Sequence, residues 1–397
     1  MEYKKVKISD VATIIPGYAF KSKDFSKDGT KVIKITDIRP PIVDFKNCCK
    51  VDLNHYKVDK LQKYEVEKGD FIIAMTGATI GKIGRVTSDE KAYLNQRTAK
   101  FEVTDKINKD FLYYSLMRKE FMQFLMNHID SESAQPNISA NSISQYEFFL
   151  PEITEQNKIV KILLAIDKKI QINNQINDNL QNIILTMFKE FIKKNADAEE
   201  ITLEDCVQKV GTGADAIQKA PIVEYDTGIR CIRVGDMTNS RTRYEWGFAE
   251  MTKKNFENYK LEVGDIVITR TAVNGISYMI EDDMKVVCNN GLIRLKVNEK
   301  YNPLYIYLCM KTKDFYDYIH RIDSETSVRP NMKVEYLTSY KIKKLSLEEQ
   351  NKLCEKMTPF RKKQQEIISE NNTLKQLRDS LLPKLMKGEV DLSKIEI

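Results

Sequence analysis

Tyr64-Glu65-Val66-Glu67-Lys68-Gly69-Asp70-Phe71-Ile72-Ile73 returns later in the chain as Tyr259-Lys260-Leu261-Glu262-Val263-Gly264-Asp265-Ile266-Val267-Ile268. The Gly-Asp step reads as a tight turn and the apolar triplet after it as a buried strand. Three more blocks recur in the same order at an offset of about 194 residues. Asn95-Gln96 returns as Asn289-Asn290, Ser133-Ala134-Gln135-Pro136-Asn137-Ile138 as Ser327-Val328-Arg329-Pro330-Asn331-Met332, and Glu155-Gln156-Asn157-Lys158-Ile159 as Glu349-Gln350-Asn351-Lys352-Leu353. Four blocks in one order at nearly one offset mark an internal duplication. Short β-rich runs at Lys31–Asp37 and Gly228–Val234 precede the buried strand, and helical stretches at Asp110–His128 and Pro303–Ile319 follow it. Each copy therefore predicts a mixed, strand-rich domain of about 150 residues.

Beyond each copy the pattern changes to a seven-residue repeat. Ile159, Ile166, Asn173, Leu180 and Met187 stand seven apart, with Ile162, Ile176 and Ile183 as companions and Lys169 interrupting that second row. Leu353, Phe360, Ile367, Leu374 and Leu381 are the same series shifted by 194. Two narrow, matched seams predict an antiparallel coiled coil of helices about 40 residues, or about 60 Å, long. The alternative is two helices packed on separate domain cores. Asn173 is polar where Ile367 is apolar, and a single polar seam residue commonly fixes pairing register. Pro359 lies inside the second helix, where proline costs about 3 kcal/mol, so a bend or a helix start is expected there.

The 397 residues are too many for one ordinary core, and 42% hydrophobic with 30% charged is a globular composition. No apolar run reaches the roughly 20 residues that span a bilayer. Met1–Lys5 leads into strand-like residues rather than an apolar signal core, so a cytoplasmic protein is expected. A net charge of +6 permits a nucleic-acid partner without requiring one. It divides as about +4 over 1–151, +2 over 152–196, −1 over 197–346 and +1 beyond, so any basic surface must be local. Seven scattered cysteines form no C-x-x-C pair and His55, His128 and His320 lie far apart, which argues against a metal site or disulfide framework.

Three motifs imitate enzymes. Gly77-Ala78-Thr79-Ile80-Gly81-Lys82-Ile83 is one residue short of a phosphate-binding loop and lacks the hydroxyl residue after lysine. Gly211-Thr212-Gly213-Ala214-Asp215-Ala216 mimics a dinucleotide fingerprint without βαβ context, and its first-copy counterpart Pro16-Gly17-Tyr18 lacks the pattern. Asn302-Pro303-Leu304-Tyr305 approaches an adenine-methyltransferase motif but aligns with Asn108-Lys109-Asp110-Phe111. Both read as capped helix starts. No catalytic residue, metal or cofactor is expected in this chain.

The tail Leu374-Lys375-Gln376-Leu377-Arg378-Asp379-Ser380-Leu381-Leu382-Pro383-Lys384-Leu385-Met386-Lys387-Gly388-Glu389-Val390 resembles the closing motif of the specificity subunits of type I restriction–modification systems. Gly69-Asp70, Thr76-Gly77-Ala78-Thr79-Ile80-Gly81-Lys82 and Gln135-Pro136-Asn137-Ile138 are similar to that family too, as is the order module, helix, module, helix. Val328-Arg329 and Thr271-Ala272-Val273-Asn274-Gly275 depart from the first-copy pattern and put a shared role of the two glycine-rich loops in doubt. The resemblance implies an α+β chain with target-recognition domains at 1–151 and 197–346, spacer helices at 152–196 and 347–388, and a tail at 389–397. It further implies that each domain reads half of a split double-stranded DNA target. The helices would dock methylation subunits, in two copies, which bind S-adenosylmethionine. A separate restriction subunit would translocate and cleave the DNA. The rival readings are a stand-alone DNA methyltransferase or nuclease, and a scaffold that does not read DNA.

DNA contacts call for Lys and Arg at phosphates and for Arg, Lys, Asn or Gln at base edges. In the first copy these criteria select Thr76, Lys82 and Arg85 along the glycine-rich loop, with Asn95, Gln96 and Arg97. In the second they select Arg230, Arg233, Arg241 and Arg243 beside Tyr244 and Trp246, with Arg270 and Asn274 where the first copy has its glycine loop. Solvated charges on strand faces are the plain alternative for any one of them. Lys21–Asp37 shows no evident counterpart in Arg230–Arg243, so the polar loops are expected to diverge between copies.

Overall fold

The computed structural model describes residues 3–129, 136–325 and 331–392. Positions 133–135 and 327–330 of the recurring Ser-to-Ile/Met block, and 393–397 of the tail, lie outside the described residues. The chain divides into two compact units, Met1–Lys169 with Leu374–Ile397 and Ile170–Thr373. Both long helices therefore contribute to both units.

In the first module the strands β1 (Ala12–Pro16), β2 (Thr30–Ile33), β3 (Phe71–Ala74), β4 (Ile83–Arg85), β5 (Ala92–Leu94) and β6 (Thr98–Val103) frame two sheets. One runs β1-β6-β3-β4 with antiparallel neighbours, and the other centres on the parallel pair β2 and β5. Helices α1 (Lys109–Leu116) and α2 (Lys119–Asn127) follow, then the long α3 (Ile153–Lys194). β3 is buried along its whole length, as the unbroken apolar run demands. Gly69 makes the turn before it at φ +91°, and the Asp70 carboxylate accepts the Glu67 N–H at 2.9 Å. Gly264 and Asp265 repeat both features, at φ +92° and 2.9 Å.

The second module has the same plan. Its strands are β7 (Val207–Thr212), β8 (Arg230–Ile232), β9 (Ile266–Thr269), β10 (Ser277–Met279), β11 (Val286–Cys288) and β12 (Leu292–Val297). One sheet runs β7-β12-β9-β10 and the other pairs β8 with β11 in parallel. Helices α4 (Pro303–Cys309), α5 (Lys313–Glu325) and the long α6 (Leu347–Met386) complete it. This topology corrects one expectation. Ile33-Lys34-Ile35-Thr36-Asp37, leaving β2, does have a counterpart in Ile232-Arg233-Val234-Gly235-Asp236, leaving β8. In each, the buried aspartate accepts a backbone N–H three residues back, from Lys34 at 2.8 Å or Arg233 at 3.0 Å.

The Glu-Gln-Asn block joins each module to its helix. Buried Gln156 accepts the Asn108 N–H at 2.8 Å, and Asn108 donates its side-chain amide to Asn157 at 2.8 Å. Gln350, Asn302 and Asn351 repeat this with the same 2.8 Å distances. Asn108 and Asn302 also cap α1 and α4, accepting N–H groups at 2.9 Å, with Pro303 in the first turn. The methyltransferase-like motif is thus a helix start whose polar groups are already engaged.

α3 and α6 pair antiparallel. In the second unit Asn173 bonds Asn371 at 2.9 Å and Glu370 at 2.9 Å, while farther along α3 the Asn177 carbonyl accepts from Gln364 at 3.1 Å. In the first unit Asp167 bonds Arg378 at 2.9 Å. Ile159, Ile166, Leu353 and Ile367 are buried on the seam, and Leu180, Met187, Phe360, Leu374 and Leu381 are half-buried. Asn173 is 1% exposed with its amide nitrogen donating to both Glu370 and Asn371, as a register-fixing residue requires. The companion row is corrected. Ile176 and Ile183 are exposed, while Leu163 and Ile184, four residues beyond seam positions rather than three, are buried. Isoleucines occupy both spacings, so periodicity alone did not choose between them. α6 begins at Leu347 and continues through Pro359 as one helix, so no helix start falls there.

The cores explain the shared helices. Leu382, Leu385 and Met386 of α6 join the first module's core with Phe71, Phe111 and Ile159. Ile184 and Phe188 of α3 join the second module's core with Ile266, Tyr305 and Leu353. Among the described residues no helix is long and apolar enough to cross a membrane.

Candidate nucleic-acid interface

Five separate stretches of the first module meet at one edge through backbone hydrogen bonds. Gly17 N–H donates to Thr98 at 2.8 Å, Tyr18 to Leu94 at 2.9 Å, Asn95 to Ile33 at 3.0 Å, Met75 to Arg97 at 3.0 Å and Ile138 to Met75 at 3.0 Å. The second module reproduces every bond. Gly213 donates to Leu292 at 3.1 Å, Ala214 to Cys288 at 2.8 Å, Asn289 to Ile232 at 3.2 Å, Arg270 to Gly291 at 3.0 Å and Met332 to Arg270 at 2.8 Å. Gly17 and Gly213 are needed for this closure, since a Cβ there would lie 2.1 Å from the Asn95 carbonyl oxygen or 2.3 Å from that of Asn289. Gly17 thus takes the place of Gly213 in the closure, although Pro16-Gly17-Tyr18 lacks the glycine pattern of the second copy.

The two glycine-rich loops correspond at their ends, although the first is one residue longer and forms a 3-10 turn at Gly77–Thr79. Gly77 at φ +67° corresponds to Ala272 at φ +63°, and Gly81 at φ +80° to Gly275 at φ +89°. Gly81 and Gly275 both donate at 3.0 Å, to Ala74 and Thr269. The loops thus keep a common framework and differ in what they present.

The selected side chains fare unequally. Thr76, Asn95, Gln96 and Arg97 are brought together at this edge, with Gln96 and Arg97 exposed and Thr76 buried. Lys82 is exposed at the loop's exit. Arg85 is taken up elsewhere, ion-paired with Asp110 and stacked 4.2 Å from the Tyr113 ring centre. Arg230 donates to the Trp246 carbonyl at 2.6 Å and lies over Phe248. Arg233 and Arg241 both bind the buried Asp236 carboxylate, at 3.2 and 3.0 Å, though the Arg241 side chain stays 47% exposed. Arg243, 8% exposed, bonds Asp282 at 3.0 Å and Gln365 of α6 at 2.6 Å. Arg270 donates to the carbonyls of Met332 at 3.2 Å and Asn290 at 3.3 Å, and Asn274 is buried against Asp323 at 2.6 Å. Arg85, Arg243, Arg270 and Asn274 therefore brace the fold, each donating to a protein acceptor, with Arg85 also stacked on Tyr113.

The model of the type I restriction modification DNA specificity domain matches residues 1–182 and again 195–377. The chain belongs to that family. The specificity subunit of the EcoBI enzyme of Escherichia coli is 22% identical over 423 residues, 97% of this chain and 86% of that one. The MjaVIII specificity subunit of Methanocaldococcus jannaschii is 29% identical over 200 residues, covering 47% of this chain. That alignment spans 46% of the MjaVIII subunit's length, so the match reaches under half of it. The crystal structure of a type I S subunit from M. genitalium shares the fold at a TM-score of 0.54 and 15% identity, covering 97% of this chain and 96% of that one.

In this member of the specificity family the shared edge also carries Lys34, Asn137 and Asn331, which type and spacing did not single out. Lys34, the counterpart of the selected Arg233, leaves the central parallel strand beside the Asn95 turn, as Arg233 does beside the Asn289 turn. Asn137 and Asn331 are exposed and bridge to Thr76 and Thr271. Their recurrence within the Pro-Asn block was the available signal.

Proposed function

We propose that this chain is the DNA-reading, non-catalytic subunit of a type I restriction–modification assembly, in which each module reads one half of a bipartite target. The observation that carries the proposal is the duplicated edge, where five backbone bonds recur and the exposed side chains change. Gln96 and Arg97 in the first module stand where the second has Asn290 and Gly291. A fixed scaffold with altered polar side chains is what two different direct readouts require. Lys34, Lys82 and Arg241 supply cations for phosphates nearby. Methylation subunits dock on the helices, in two copies to match the duplication, and a restriction subunit joins them. Ile172, Ile176 and Ile183 give α3 an exposed apolar face suited to such a partner helix.

Footprinting on a duplex holding the mapped target tests this reading. The chain with its methylation subunits is expected to protect two separated patches, with an affinity that falls steeply as salt rises. A single continuous patch, or methyl transfer by the chain alone, would overturn it.

A further inference from the structure

We propose that Val273 contacts a thymine methyl group in the half-site read by the second module, an inference that rests on the function proposed above. Val273 sits at the tip of the loop Thr271–Gly275 and is 49% exposed. The loop holds that side chain out on a fixed mount. The Val273 N–H donates to Thr271 at 2.8 Å, and Gly275 N–H donates to Thr269 at 3.0 Å. Asn274 is buried and tied to Asp323 at 2.6 Å, and Thr271 bridges to Asn331. An exposed valine on a mobile loop would signify little, but here the backbone on either side is committed to hydrogen bonds.

The two copies differ at this point. Ala272 occupies the left-handed conformation, at φ +63°, that Gly77 occupies without a Cβ in the first module. The exposed tip is Ala78 in the first copy and Val273 in the second. Arg97, on the neighbouring turn, is replaced by Gly291, where a Cβ would lie 3.0 Å from the Thr271 hydroxyl oxygen. The second module has thus lost a guanidinium beside the loop and gained a branched apolar group on it. Among base edges in the major groove, only the C5 methyl of thymine is an apolar partner. The first module, with Ala78, reaches less far and should depend less on any such methyl.

The test uses the full chain assembled with its methylation subunits. The probe is a duplex carrying the mapped target, with deoxyuridine replacing each thymine in turn so that only the methyl is lost. The wild type should bind one such duplex, altered in the second module's half-site, about three- to fivefold more weakly, the effect of one buried methyl group. Val273→Ala should bind the thymine duplex with that reduced affinity and no longer distinguish it from the uracil duplex. Val273→Thr, which keeps one methyl and the branched shape, should retain the distinction. If the half-site holds no thymine, or the distinction is absent or survives Val273→Ala while both half-sites are still read, this inference is wrong and the proposed function stands. If no specific duplex is bound at all, the proposed function fails and the inference with it.

Discussion

Removing Gln156 or Gln350 tests whether the duplicated framework is two equivalent joints. Gln156→Ala takes the acceptor from the Asn108 N–H at 2.8 Å and the donors from the carbonyls of Pro151 at 2.8 Å and Lys106 at 3.3 Å. Gln350→Ala does the same to the Asn302 N–H at 2.8 Å and the Leu345 carbonyl at 2.9 Å. Lys106 is exposed and water replaces that bond, so two groups matter at each site. A buried backbone group left unpaired costs about 1–3 kcal/mol, which gives roughly 2–6 kcal/mol for either variant. Urea unfolding followed by far-ultraviolet circular dichroism, with hydrogen exchange to assign the regions, is the assay. Gln156→Ala should weaken residues 1–169 and Gln350→Ala residues 170–373, by similar amounts. A loss below 1 kcal/mol, or costs that differ several-fold between the two, would refute the reasoning, because the geometry of the two joints is the same.

The strained residue in the second module should be relieved by Ala272→Gly, which is expected to raise stability by up to about 1 kcal/mol, whereas Gly77→Ala should cost about as much. A melting curve checks both, and opposite signs are required. Leu385→Ala should destabilise the first module by about 2–5 kcal/mol although it lies at the far end of the chain, because its side chain is in that module's core. Proteolysis that nicked the second module first in this variant would contradict the core assignment.

Much of the fold was legible in the sequence because its signals are local. Gly69-Asp70 before an unbroken apolar run and the seven-residue series ending at Leu381 each state their own geometry. The companion row misled because Ile176 and Ile183 sit three residues from seam positions while Ile184 sits four, and only the partner helix decides which face is covered. The correspondence of Ile33–Asp37 with Ile232–Asp236 was hidden because little beyond an isoleucine, a cation and an aspartate recurs, while the parallel pairing that gives them meaning comes from β5 and β11. The site was less legible. An arginine's type and neighbours do not reveal that Asp110, Asp282 or the Met332 carbonyl, remote in sequence, already occupies its donors. Thr76, Asn95, Gln96 and Arg97 lie close together because the recurring blocks fall at the strand ends where that edge forms.

The most direct test of the central claim is a domain exchange read out by genome-wide mapping of methylated adenines. Residues 1–151 are exchanged for those of another specificity-family member together with 374–392, since Leu382, Leu385 and Met386 belong to that core. Two independent readers predict that one half of the methylated target changes to the donor's and the other half stays as it was. Both halves changing together, or neither changing while methylation persists, would contradict the account.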